Sequence, residues 1–164
     1  MNVEQLRAAQ GPLKARYKED PTTALITHRA TAEVEAGAQV SHVQTFLGVT
    51  DAGLHPAAGG DGSKECSADM LLQALVGCAG VTLGAVATAM GITGRSARVG
   101  AEGVVDFRGT LGVSREAPVG FKSIRLKFEL DTDAGAEAVA KLLELTERYC
   151  VVYQTLKHSP ELTR

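Results

Sequence analysis

The sequence predicts an α+β fold, and three observations carry that prediction. Alternating strand-like runs cluster between residues 23 and 49 and again between 95 and 130; an apolar run from Met70 to Ile92 lies between them; helical periodicity occupies both ends. Segregated strands and helices, rather than repeated strand-helix-strand units, distinguish this class from a parallel α/β sheet. A length of 164 residues with 45% hydrophobic side chains suits a single domain over residues 1–164, with residues 1–20 as a helical arm.

The chain opens with a helix expected over Asn2 to Gln10, interrupted by Gly11-Pro12, and a helical stub ending before Pro21. Ile26, His28, Ala30, Ala32 and Val34 then alternate with polar neighbours, Gly37 turns the chain, and a second strand is expected over Val40 to Val49, giving a hairpin. Residues 51–64 carry Gly53, Pro56, Gly59, Gly60 and Gly62, the composition of a loop. The segment His55 to Ser63 reads equally as a flexible connector or as a binding loop, since loops both vary freely and carry function.

Met70 to Ile92 holds no charged residue. It reaches the roughly 20 apolar residues of a membrane span. Its flanks lack a Lys/Arg cluster and aromatic anchors, and a single mid-chain span would place the two strand-rich halves on opposite sides of a bilayer. A buried helix is therefore expected, with Ser67 as its cap, Asp69 in its first turn against the positive end of the macrodipole and Gly91 closing it. Gly77, Gly80, Gly84 and Ala87 form a small-residue stripe that would admit another backbone.

Downstream, Arg95 to Arg108 alternates as a strand, 109–120 is a glycine-containing connector, and Ile124, Leu126, Phe128 and Leu130 alternate with Arg125, Lys127 and Glu129 as a half-buried strand. An amphipathic helix is expected from Asp131 to about Tyr149, with Val139, Leu142, Leu143 and Thr146 on one face. A last helix runs from Val151 to His158 and stops at Pro160.

With 17 basic and 19 acidic residues dispersed along the chain, no basic patch marks a nucleic-acid or anionic-membrane partner. Three dispersed cysteines and an N-terminus, MNVEQLRAAQG, without an apolar stretch fit a reducing cytoplasm, where a cysteine pair is chemical rather than a structural staple. Neither CxxC nor HxxxH spacing links His55, Cys66, Cys78 and Cys150, so neither a metal nor another cofactor is expected. Cys78, mid-helix beside Val81, Thr82 and Ala85, reads by itself as a small core residue. Acting as a nucleophile would require a donor or cation from elsewhere, because it lies too deep in its helix for the dipole; a guanidinium is the expected source.

A cysteine within a long hydrophobic helix entered through a small-residue turn and an acidic residue (Cys66 to Ile92), with a second cysteine in the context Cys150-Val-Val-Tyr-Gln-Thr-Leu (Glu147 to Lys157), resembles the OsmC/Ohr family of osmotically inducible and organic hydroperoxide resistance proteins. The resemblance implies an intertwined homodimer in which long central helices are wrapped by antiparallel-rich sheets. It also implies a thiol-dependent peroxidase acting on apolar organic hydroperoxides, with Cys78 as attacker, Cys150 as resolver and an external thiol as reductant. In the family a glutamate orients an arginine onto the attacking thiolate; Asp69 stands at the acidic position here. The arginine is missing from the turn after the first strand, which reads Glu35-Ala36-Gly37-Ala38, and Arg29 on that strand is a weak substitute. A non-catalytic protein that keeps the fold and binds a small apolar ligand is the alternative.

Overall fold

The structure, a computed structural model, describes residues 1–164 apart from the side chain of Arg95. Five α-helices and six strands fall into two compact units, one of Met1–Thr27, Leu75–Gly100 and Lys127–Arg164, the other of His28–Ala74 and Ala101–Leu126. Three elements, α2 (Ser67–Met90), β5 (Gly94–Val105) and β6 (Phe121–Thr132), run from one unit into the other, and β5 pairs with β6 in a two-stranded sheet.

The second unit is built on a four-stranded sheet in the order β1 (Thr31–Val34), β2 (Val40–Thr45), β3 (Gly48–Gly53), β4 (Glu65–Cys66), with β4 parallel to β3 and the others antiparallel. The expected second strand is thus two strands. The chain reverses at Phe46-Leu47, where Thr45 donates its hydroxyl to the Gly48 carbonyl at 2.7 Å and Gly48 takes the positive φ of 127° that only glycine adopts without strain. The first strand is also shorter than its alternation suggested: Leu25 and Ile26 are exposed, and pairing begins only at Thr31. Alternation marks a face, but a strand needs a partner edge, and β2 offers only four paired positions.

The loop after β3 is anchored rather than free. His55 caps a short 3-10 turn, Pro56–Ala58, by accepting from the Ala57 amide at 3.0 Å, and its ring stacks on Phe107 of α3 (Phe107–Thr110) at 5.0 Å. Gly60 packs so closely on the Leu54 carbonyl that a Cβ there would collide with it. Lys64 at the end of the loop bonds Asp51 at 2.7 Å, opposite the His42–Asp51 contact of 2.8 Å on the paired strand. Lys64 first, then His42, hold the Asp51 carboxyl below its usual range.

In the first unit, α1 spans Val3–Glu19 without the expected break at Gly11-Pro12. Pro12 removes one amide from the ladder. None of the helix's residues is buried, so the carbonyl left over can be hydrated, and a reciprocal Asn2/Gln5 capping box secures the first turn. The α2 helix begins at Ser67, three residues before the apolar run, with Asp69 in its first turn, and Gly91 closes it at φ 68° as expected. Helix α4 (Ala136–Tyr149) starts later than expected, because β6 extends through Asp131 and Thr132 and Gly135 is the helix cap. Helix α5 is Val151–Lys157.

Two stripes at i, i+4 spacing supply the buried core: Leu75, Ala79 and Leu83 of α2, and Leu142 and Thr146 of α4 with Cys150 beyond it. The Thr146 hydroxyl is satisfied by the Leu142 carbonyl at 2.8 Å. The rest of α2 is not buried within one chain; Val81 is 78% exposed. Nor do the helix glycines receive another backbone. Among the described residues, Gly77 and Gly84 face open space and Gly80 meets only the Val99 side chain at 4.0 Å; Gly80, Gly84 and Ala87 border a cavity of about 240 Å³ shared with Leu142 and Ile92.

Candidate active site

The site is assembled where α4 gives way to α5. Cys150 breaks the helix: its ψ of 110° is extended, yet its amide still donates to Thr146 at 3.0 Å and its carbonyl accepts from Gln154 at 2.9 Å. It therefore ends one helix and caps the next, its sulfur accepting from the Tyr153 amide at 3.4 Å. The thiol is fully buried.

Cys78 lies in the middle of α2, half-buried, with all three cysteines present as free thiols. Burial raises the Cys78 pKa, but hydrogen bonds outweigh it and the net shift is downward: the Val152 amide, the Cys150 thiol, the Val151 amide and the Thr82 hydroxyl all favour the thiolate. Cys150 moves the opposite way. Burial pushes its thiol up, and a negative neighbour at Cys78 pushes it further, against the opposing pull of the Tyr153 amide. The two thiols are thus differentiated into one that ionises readily and one that stays protonated and donates.

Cys78 and Cys150 each act on the other's ionisation. A guanidinium is the expected source of activation; within one chain the leading donors to Cys78 are the Val152 amide, the Cys150 thiol and the Val151 amide. The break between a helix ending near Tyr149 and another starting at Val151 is where the sequence placed it, but periodicity carried no signal for which side chain the first amides of α5 serve. Asp69 is exposed in the first turn of α2. A nine-residue separation on a helix corresponds to about 13 Å along the axis and half a turn around it. Arg29 is exposed ahead of β1, and the Glu35-Ala38 turn contains no arginine. Cys66 lies on β4, immediately before α2. Among the described residues, no group of three His, Cys, Asp or Glu side chains is placed to hold a metal ion.

One turn beyond Cys78, on the same side of α2, a cleft of about 580 Å³ opens between α2, α1 and α4. Thr82, Ala85, Val86 and Met90 form its floor, Leu6 and Leu145 its walls, and Lys14 its only charged lining residue. It is large enough for a small organic ligand and mostly apolar.

Residues 60–163 match the model of the OsmC-like protein family. The chain belongs to the OsmC-like family. The matched segment includes α2, both cysteines of the site and α5, and excludes α1. Among solved structures, an OsmC-like protein from Mycoplasma pneumoniae superposes with a TM-score of 0.68 at 15% identity, covering 82% of this chain and 89% of its own. An organic hydroperoxide resistance protein OsmC from Legionella pneumophila gives 0.62 at 18% identity over 82% and 91%. The organic hydroperoxide resistance protein OhrB of Bacillus subtilis gives 0.56 at 16% over 82% and 93%. At these identities the likeness establishes the OsmC-like fold. No curated protein sequence matches the chain.

Proposed function

We propose that this OsmC-like protein is a cytoplasmic, homodimeric thiol peroxidase that reduces apolar organic hydroperoxides through a Cys78/Cys150 cycle. The observation that carries the reading is the pairing itself: Cys78 held toward thiolate beside a buried, protonated Cys150. The Cys78 thiolate attacks the terminal peroxide oxygen; the O–O bond breaks, the alkoxide is protonated and leaves as an alcohol, and Cys78 becomes a sulfenic acid. Attack by Cys150 sulfur expels water and forms the disulfide. Two equivalents of an external thiol then restore both cysteines. The apolar cleft beside Thr82 would receive the organic part of the substrate.

Homodimer formation is supported by the apolar surface that α2 leaves uncovered, Val81 being 78% exposed. Helix α2 is long and apolar enough to cross a membrane, with 22% of its most apolar window buried. A second OsmC-like chain covering that helix would remove its exposed apolar side chains from water.

A second reading, a non-catalytic protein binding small apolar ligands, is favoured by the absence of a cation among the leading influences on Cys78. Mass spectrometry of the reduced protein after one equivalent of cumene hydroperoxide separates the two. A rapid Cys78-Cys150 disulfide supports the peroxidase, and unchanged thiols leave the binding protein.

A further inference from the structure

We propose that Glu147 is a positioning residue for Cys78, acting through α5. The inference rests on the peroxidase reading only for its biological meaning; the positioning itself concerns thiol ionisation and stands or falls without peroxide.

Helix α5 is a weak element by itself. A seven-residue helix has little intrinsic stability, it is joined to α4 through the non-helical Cys150, and its apolar residues pack thinly, with Val151 71% and Leu156 38% exposed. Its orientation depends on a few polar ties, and two of them converge on one residue of α4. The Glu147 carboxylate accepts from the Tyr153 hydroxyl at 3.0 Å, and the Glu147 carbonyl accepts from the Gln154 side-chain amide at 2.8 Å. The Tyr153 amide itself donates to the Cys150 sulfur at 3.4 Å, and the amides of Val151 and Val152, directly before the two donors, lower the Cys78 pKa. Partial burial of the Tyr153 ring keeps its phenol protonated, so the donor is permanent at neutral pH. The groups that act on the Cys78 thiol are Thr82 of its own helix, Cys150, and the Val152 and Val151 amides of α5. Loosening the clamp withdraws the latter set together.

The sign of the effect distinguishes positioning from simple charge. Removing a negative carboxylate near a thiol lowers the thiol pKa by Coulomb's law; removing a carboxylate that holds donors in place raises it. The test is the pH dependence of Cys78 alkylation by iodoacetamide in the reduced protein, read by peptide mass spectrometry, with thermal melts to establish folding. Tyr153→Phe and Glu147→Ala should each move the midpoint upward and slow alkylation at neutral pH about fivefold, the effect of one typical hydrogen bond. Their combination should do no more than either alone, as expected of partners in one interaction. Glu147→Gln, which keeps an acceptor for the phenol, should restore the wild-type profile. Should Tyr153→Phe fail to fold, Gln154→Ala removes the other tie and should shift the midpoint in the same direction. An unchanged or lowered midpoint in the folded Glu147→Ala protein, or additive effects in the double variant, overturns the proposal. A raised midpoint in a protein that ignores hydroperoxide would sustain the clamp while refuting the peroxidase.

Discussion

Cys150 ends α4 and caps α5, and from that one position its sulfur accepts from the Tyr153 amide at 3.4 Å while its thiol helps to lower the pKa of Cys78 on α2. Two roles in one residue make the pair asymmetric. The Val151 and Val152 amides that follow the backbone break at Cys150 favour the Cys78 thiolate, while burial raises the Cys150 pKa.

The cycle predicts distinct products for the two serine variants. Cys78→Ser should consume no hydroperoxide. Cys150→Ser should react once and stop at a sulfenic acid on Cys78, trapped by dimedone and read as an adduct by mass spectrometry. Equal turnover in Cys150→Ser and wild type under a disulfide-specific reductant would refute a resolving role.

The two thiols should titrate in the order their surroundings impose. Cys78 has its folded pKa lowered, so its thiolate persists to a pH below the ordinary thiol value of about 8.5, and any stability it contributes is present above that value and lost as pH falls through the lowered one. Alkylation of reduced protein should therefore label Cys78 at neutral pH and leave Cys150 unmodified. Preferential labelling of Cys150 would contradict the assignment.

The core of the first unit makes a stability prediction. Leu142 is 2% exposed and borders the cavity beside Leu83. Leu142→Ala should cost about 2–5 kcal/mol, read as a lowered denaturant midpoint. A loss under ~1 kcal/mol would mean that the site collapses around the truncation.

Dimer formation predicts sensitivity at α2. Val81 is 78% exposed in the single chain and lies in the most apolar helix. Val81→Asp should convert a dimer into monomer or insoluble protein by sedimentation velocity, since an unpaired carboxylate in an apolar interface is costly. A wild-type protein that sediments as a monomer would remove the basis for this prediction.

Much of this was legible in the residues. Alternation located β6 through Ile124, Leu126, Phe128 and Leu130, and the uncharged run located α2 with Gly91 at its end, because these signals are local. The β2–β3 reversal at Phe46-Leu47 was missed because its turn residues lack the usual Asn-Gly signature. The helix through Pro12 was missed because capping and full exposure outweighed one lost hydrogen bond.

By itself, the sequence determined the α+β class, the long apolar helix and the two cysteines in their OsmC-like contexts, since composition and periodicity are properties of each segment. The tertiary structure decided that Cys150 is fully buried where α4 gives way to α5, and that the Val152 and Val151 amides and the Cys150 thiol favour the Cys78 thiolate. These depend on the angle the chain takes at Cys150 and on the rotation of residues around α2, which arise from packing between segments far apart in sequence.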